Sequence, residues 1–348
     1  MRVVVIGATG NVGTSLLGAL AADDAVEHIV GVARRLPEWS APKTEFRAAD
    51  VVRDDLVPIV RGADVVVALA WLIQPGRDES VTRAVNVEGS SRTFEAVARA
   101  GVPSLVYQSS VGAYAPGPKD RRVDESWPTT GIPSSFYSRH KAAVERVLDS
   151  FEAAHPDVRV VRTRPGLVFK RDAASEIRRL FAGPLLPSAL LRRDRIPVVP
   201  AARRLMVQAV HGADLGQALR LAVVRDVRGA FNLAAEPVLD APELARLLDA
   251  RPVSVPPRVL RTAADVAFRL HLQPSEPGWV DMGLGVPLMD TTRARRELGW
   301  EPARSAGEAL LELLEGMHDA AGLPTPPLDP STGGPLRIRE LLTGVGRR

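Results

Sequence analysis

The sequence predicts an α/β fold, a doubly wound parallel sheet joined to a smaller mixed lobe. Three observations lead there. Short apolar runs alternate with helical patterns through the first half of the chain, and strands alternating with helices indicate a parallel sheet covered on both faces. The first run, RVVVIG, leads directly into three glycines, Gly7, Gly10 and Gly13, a compact turn from strand to helix. The regular pattern then stops after Pro165, where Pro, Leu and Arg dominate residues 166–204 without a clean period.

Taken in order, RVVVIG reads as a buried strand and GTSLLGALAAD as its helix. HIVGVA, EFRAAD and DVVVALAW are the next strands. SVTRAVNVEGSSRTFEAVARAG is a helix that stops at Gly101, since glycine just past the last periodic residue ends a helix. SLVYQSS is a strand, and SSFYSRHKAAVERVLDSFEAAH is a long helix capped by Ser134 or Ser135. VRVVRTRP closes the first half as a strand. Regularity returns in VQAVHGADLGQALRLAVVRD and GAFNLA, a strand–helix–strand reading, and short helices follow at APELARLLDA and SAGEALLELLEG. The expected organisation is a sheet core of residues 1–165 plus about 205–234 and a smaller lobe of 166–204 plus 235–320. The tail, 321–348, contains GLPTPPLDPSTGGP and is expected to be extended or disordered.

Composition narrows the function classes. A chain of 348 residues, 45% hydrophobic and 25% charged, has the make-up of a soluble globular enzyme. Net charge is only +4 and the arginines are scattered among acids, which argues against a nucleic-acid surface. There are no cysteines, so disulfides, zinc–thiolate sites and cysteine nucleophiles are excluded. No histidine–acid spacing suggests a metal. The N-terminus reads as a strand rather than a signal segment, and the longest apolar run, Val65 to Ile73, is far short of the ~20 residues of a membrane span. A cytoplasmic protein without membrane attachment is expected.

The glycine loop carries the first chemical signal. In GATGNVG, Gly7 permits the tight turn, Gly10 lets a pyrophosphate approach the backbone, and Gly13 lets the helix pack on the strand, with Thr9, Asn11 and Val12 between them. The helix N-terminus offers free N–H groups to phosphates. The loop is therefore expected to bind a dinucleotide. NAD sites place an acid about 20 residues further on, at the end of the second strand. Here that zone reads VARR, with no acid and with Arg34 and Arg35 available to a 2′-phosphate. NADP(H) is expected, with NAD(H) as second choice.

The second signal is FYSRHK, residues 136–141. The chain has three tyrosines and four lysines, and Tyr137 and Lys141 stand one helical turn apart. Tyr137, Lys141, Val144, Leu148 and Phe151 share one helical face. A carbonyl reduced by hydride needs a proton donor, and an alcohol being oxidised needs a base. Free tyrosine, with pKa ≈ 10, suits neither task near neutrality, so Lys141 is expected to lower it. Ser110 ends the fifth strand, at the carboxyl edge where such sheets bind ligands, with Ser109 as the competing assignment.

These residues together resemble the extended short-chain dehydrogenases/reductases, also called the NAD-dependent epimerase/dehydratase family. The motifs GATGNVG, AAD ending at Asp50, DVVVALA, NVEGSSRTFEAV, YQSSVGAY, YSRHK and RTRPGLVF occur in that family's order over roughly residues 1–315. The resemblance implies a Rossmann core and a catalytic triad of Ser110, Tyr137 and Lys141. It also implies adenine contacts at Asp50 and Val51, cofactor contacts at Leu69 and Ala70, and Asn86 near the active site. Ser109, Pro165 and Val168 complete the cofactor set. Relatives pair the helices at 82–100 and 135–154 into a homodimer contact, which is expected here too.

Departures from the family shape the substrate expectation. Dehydratases carry an acid pair where this chain has Val111 and Gly112. Nucleotide-sugar members carry an asparagine where Leu167 stands and a glycine where Lys170 stands, and often an Arg-Asp pair where Val207 and Gln208 stand. The expected substrate wall is Trp71, Leu72 and Ile73, with Tyr114, Leu167 and Phe169. The resulting expectation is reversible hydride transfer to or from a carbonyl or alcohol on a largely apolar small molecule. The alternatives are a nucleotide-sugar epimerase and a non-catalytic NADP-sensing protein on the same fold.

Overall fold

The computed structural model describes residues 1–74, 77–182 and 195–331. Its strands, in chain order, are β1 (Arg2–Ile6), β2 (His28–Ala33), β3 (Thr44–Ala48), β4 (Val65–Ala68), β5 (Ser104–Gln108), β6 (Arg122–Val123) and β7 (Arg159–Pro165). Then come β8 (Leu167–Phe169), β9 (Val198–Ala201), β10 (Val207–His211), β11 (Gly229–Leu233), β12 (Ala235–Leu239), β13 (Arg251–Ser254) and β14 (Leu288–Met289).

Seven of them form one parallel sheet in the order β11-β7-β5-β4-β1-β2-β3. Val3, Val4 and Val5 of β1 are fully buried, as a parallel strand covered on both faces requires. The strand order reverses between β1 and β4, and the crevice at such a switch point is where open α/β sheets bind ligands. Ile6, Val32 and Ala68 lie level there.

The long helix Phe136–Ala154 has Ser135 as its cap, whose hydroxyl accepts from the Ser138 N–H. Lys141, Val144, Leu148 and Phe151 are buried along one face. The helix expected at 80–101 is one run with an inserted wide turn. Residues Glu79–Arg83 and Gly89–Ala100 are α-helical, and Ala84–Glu88 between them is a π-helix. Such a turn often marks a functional site, and Asn86 sits in it.

A separate three-stranded sheet, β12-β10-β8, has a core that includes Ala209, Ala235, Leu239, Leu247 and Ala306, so β10, expected in the sheet core with 205–234, pairs outside the seven-stranded sheet. Leu167 and Phe169 pack against this core. The tail departs from expectation. Over its described part, Leu328 and Thr325 are buried, and the Thr325 hydroxyl donates to the Thr9 carbonyl at 2.9 Å. The prolines that suggested disorder instead support a turn that ties this segment to the glycine loop. Residues 332–348, and the small-lobe segment 183–194, lie outside the described residues. Among the described residues no helix is long and apolar enough to cross a membrane.

Candidate active site

The glycine loop has the geometry its spacing requires. Gly7 adopts φ +93°, and a Cβ there would stand 2.7 Å from the Ala70 nitrogen and 2.8 Å from the Leu69 carbonyl carbon. Only glycine lets the chain after β4 pass this closely. At Gly13 a Cβ would stand 2.4 Å from the Gly7 carbonyl oxygen. A Cβ at Gly10 would meet only the Gly7 oxygen, at 3.7 Å, so this residue faces open space at the N-terminus of helix Asn11–Ala21. Asn11 donates from Nδ2 to the Val168 carbonyl at 3.4 Å, while its buried Oδ1 has no partner among the described residues. Open backbone at a helix N-terminus fits the phosphates of a dinucleotide.

The other expected cofactor residues fall around this loop with varied roles. Arg34 and Arg35 are exposed directly after β2, whose Val32 carbonyl accepts from the Gly7 and Ala8 N–H groups. Asp50 is held locally, its carboxylate accepting from the Val52 N–H at 2.9 Å. The Val51 side chain is turned into the core against Gly89. Pro165 ends β7 beside Leu233, and Val168 lies in β8 beside Val210. Asn86 is fully buried and clamps the loop after β4. Its Oδ1 accepts from the Leu72 N–H at 2.7 Å and its Nδ2 donates to the Leu72 carbonyl at 2.8 Å. It therefore positions Trp71, the neighbouring residue.

Ser110, Tyr137 and Lys141 converge at the ends of β5 and the long helix. Ser110 Oγ accepts from the Gly112 N–H at 3.0 Å, and the serine hydroxyl acts on the Tyr137 phenol to pull its pKa down. A Cβ on Gly112 would stand 2.9 Å from the Tyr137 ring and 3.0 Å from Met282 Sδ. The Tyr137 ring is flanked by two indoles, Trp71 at 5.8 Å and Trp279 at 4.9 Å, and Phe181 packs edge-on against Trp279 at 4.9 Å. Burial pushes the phenol up to about 12, against the opposing Ser110 hydroxyl.

Lys141 is bonded elsewhere in this arrangement. Its Nζ donates to the Gln108 carbonyl at 2.8 Å and to Tyr107 Oη at 3.4 Å. It also lies 3.6 Å from the centre of the Trp71 ring, against 6.0 Å from that of Tyr137. Burial pushes the lysine well below its ordinary value, with Glu145 opposing. Burial, not the lysine, sets the direction of the phenol, which is raised rather than lowered.

Ser109 and Tyr114 belong elsewhere. The Ser109 hydroxyl donates to Glu145 Oε1 at 2.6 Å, on the side of β5 away from Tyr137's partner Ser110. Glu145, fully buried, also receives Arg164 Nε at 2.9 Å, Arg164 Nη2 at 3.0 Å and Arg162 Nη1 at 2.9 Å. Burial pushes its carboxyl up, but the bonds from Arg164 and Ser109 and the arginine charges outweigh this and hold it at about 2. Tyr114 is fully buried and extends this network, accepting from Arg164 at 3.0 Å and donating to Asn232 at 2.6 Å. Of the expected substrate wall, Trp71 reaches Tyr137, Leu72 is the loop residue held by Asn86, and Tyr114, Leu167 and Phe169 lie in separate cores. Phenol burial with a polar handle explains Tyr114.

Sequence reasoning passed over Trp279. It sits in the short helix Gly278–Gly285, whose glycines leave no readable period, and a lone tryptophan was its only trace. Lys170 is buried and donates to the Thr14 hydroxyl at 2.6 Å and the Ser15 hydroxyl at 3.1 Å, so it is tied to the first helix. Gln208 bonds both backbone groups of Met289. His211 caps its helix, its Nδ1 accepting from the Ala213 N–H at 3.1 Å.

With this geometry in place, comparison with known proteins gives a consistent picture. The family model described as the NAD dependent epimerase/dehydratase family matches residues 3–183. An uncharacterized protein of Mycobacterium tuberculosis is 28% identical over 326 residues, which are 93% of this chain and 31% of that protein; the chain thus spans about a third of that relative's length. A decarboxylating sterol-4-alpha-carboxylate 3-dehydrogenase of Saccharomyces cerevisiae is 29% identical over 152 residues, 41% of this chain and 43% of the enzyme. Among solved structures, a UDP-glucuronic acid 4-epimerase from Bacillus cereus, in complex with UDP-glucuronic acid and NAD, superposes with a TM-score of 0.66 at 17% identity, covering 92% of this chain and 99% of that one.

Proposed function

The chain belongs to the NAD dependent epimerase/dehydratase family, and from that premise we propose that it is an NAD(P)-dependent oxidoreductase acting on a carbonyl or alcohol carbon of a largely apolar substrate. A nicotinamide dinucleotide held by Gly7–Gly13 supplies reversible hydride exchange. The chain's own residues manage the proton. Tyr137 Oη, protonated at neutral pH, donates to the substrate oxygen during reduction and recovers the proton during oxidation. Ser110 Oγ orients that oxygen. Lys141 Nζ lies against the Trp71 ring and donates to the Gln108 carbonyl at the end of β5.

The observation that carries the apolar substrate is the surroundings of Tyr137. Trp71, Trp279 and Met282 stand around it, and Lys170, the cation best placed in sequence to meet a phosphate, is committed to Thr14 and Ser15. Desolvating a phosphate without a partner costs several kcal/mol, on the order of that for any buried ion, whereas apolar surface gains about 25 cal/mol per Å². The yeast relative's sterol substrate class points the same way. The nucleotide sugar bound by the Bacillus cereus neighbour supports the epimerase as the second reading. An apolar cyclic ketone is expected to raise the thermal unfolding temperature of the cofactor-loaded protein. Protection by UDP-glucuronic acid, with no response to the ketone, would transfer the proposal to the epimerase.

The cofactor proposed is NADP(H). Ala33 stands where an acid would hold a ribose hydroxyl, and Arg34 and Arg35 follow it, exposed. Charge-assisted bonds to a 2′-phosphate are worth ~1.5–3 kcal/mol each. NADPH is therefore expected to bind more tightly than NADH by fluorescence titration, and Arg34→Ser with Arg35→Ser to erase the difference. Equal affinities in the unaltered protein would return the assignment to NAD(H). A homodimer belongs to the same reading, and a monomer mass by light scattering at micromolar concentration would remove it.

A further inference from the structure

The two indole rings packed against Tyr137 each carry an unpaired polar atom among the described residues. The indole N–H groups of Trp71 and Trp279 are both buried, and neither has a hydrogen-bond acceptor among the described residues. Buried donors are nearly always paired, and an orphan at a candidate ligand site is a bond that a ligand can complete. These two are also fixed in place. The Trp71 ring is pinned by Lys141 Nζ at 3.6 Å, and its chain neighbour Leu72 is clamped through both backbone groups by Asn86. Trp279 is wedged between Tyr137 and Phe181, and the preceding Gly278 packs so closely that a Cβ would stand 2.5 Å from the Ser134 carbonyl oxygen. The two rings come from distant parts of the chain, the loop after β4 and the helix Gly278–Gly285, and both pack against Tyr137.

We propose that Trp71 and Trp279 are specificity-determining donors, and that the substrate is an apolar ring carrying a second, uncharged oxygen acceptor, such as an ester, beside the reacting carbonyl. The proposal rests on the oxidoreductase reading and narrows its substrate class. One oxygen of such a ligand meets Tyr137 and Ser110, while the neighbouring acceptor takes an indole N–H. A ring ketone without the acceptor fills the same apolar space but leaves both donors unsatisfied. Sites built to bond a polar substrate group reject the analogue that lacks it far more strongly than apolar pockets reject a missing methylene.

The test uses 1-tetralone and its 2-carboxylic acid methyl ester as probes. Binding of each to the cofactor-loaded protein is measured by calorimetry, with cofactor oxidation followed in parallel. The keto ester is expected to bind at least about tenfold more tightly than the ketone. Trp71→Phe and Trp279→Phe keep the rings and remove the N–H groups, and at least one of them should collapse this ratio toward one. The ratio is insensitive to a general loosening of the pocket, which weakens both probes alike. Equal binding of the two probes, a preference that survives in both variants, or no binding of either probe would overturn the proposal. Cofactor oxidation without discrimination would sink this inference and leave the oxidoreductase reading standing. Discrimination in binding without oxidation would do the reverse.

Discussion

Tyr137→Phe is expected to lower turnover by roughly 10²–10⁴-fold, the usual contribution of a positioned proton donor, and to leave cofactor affinity close to that of the unaltered protein. The phenylalanine keeps the ring between Trp71 and Trp279 and removes only the hydroxyl that meets Ser110. The raised phenol adds a directional signature. Its proton is in place at every pH below about 12. Reduction, which needs the protonated form, should keep a level kcat/KM from about pH 6 to 9, because that parameter reports the free enzyme. Oxidation needs the phenolate, and should rise with pH through the same window. Retention of most reductase activity in Tyr137→Phe, or a reductase profile that falls steeply below pH 9, would remove Tyr137 from its role.

Glu145→Gln should destabilise the fold by about 3–5 kcal/mol, the cost of breaking a buried ion pair from one side. Arg164 gives two hydrogen bonds to this carboxylate and is itself buried, so it would be left as an uncompensated charge. Arg162 has further partners in Asp149 and Glu152 and suffers less. At ~2–4 °C per kcal/mol, the midpoint of thermal unfolding falls by on the order of 10 °C. Asp149→Asn is the control, since that carboxylate is largely exposed and such pairs are worth ~0–1 kcal/mol. The sign with pH follows from the lowered carboxyl. An unfolded glutamate titrates near ~4.3 and the folded one at about 2, so the contribution is complete above the unfolded value and lost as pH falls through the folded one. If Glu145→Gln melted within a degree of Asp149→Asn, the network would not be the anchor described.

The sheet core was legible because its signals are local. β1 and β2 are apolar runs buried on both faces, β5 and β7 carry short apolar stretches, and the glycine loop requires its three glycines for steric reasons confined to a few residues. The Tyr137–Lys141 spacing was legible for the same reason. What sequence could not supply was direction. Ser109 and Ser110 are adjacent, yet alternation along an extended strand sends one to Glu145 and the other to Tyr137. Tyr114 follows a strand end like a pocket residue, but its hydroxyl finds Arg164 and Asn232, which are remote in the chain. Leu167 and Phe169 likewise turn into the small-lobe core because β8 pairs with β10. The helix Pro257–Arg269 went unread for a different reason. It has no buried residue, so it contributes no core pattern for sequence to display. Trp279 lies in a glycine-rich turn of helix, placed by contacts with Tyr137 and Phe181 rather than by any period of its own.

The central claim is hydride transfer to an apolar carbonyl with Tyr137 as proton donor. Its most direct measurement is transfer of deuterium from 4-deuterated NADPH into the product of a cyclic apolar ketone, read by mass spectrometry for the unaltered protein and for Tyr137→Phe. The account predicts one deuterium at the new carbinol carbon with the unaltered protein and, over the same time, almost none with the variant. No label in any ketone product, together with conversion of UDP-glucuronic acid to its 4-epimer without net consumption of cofactor, would contradict it.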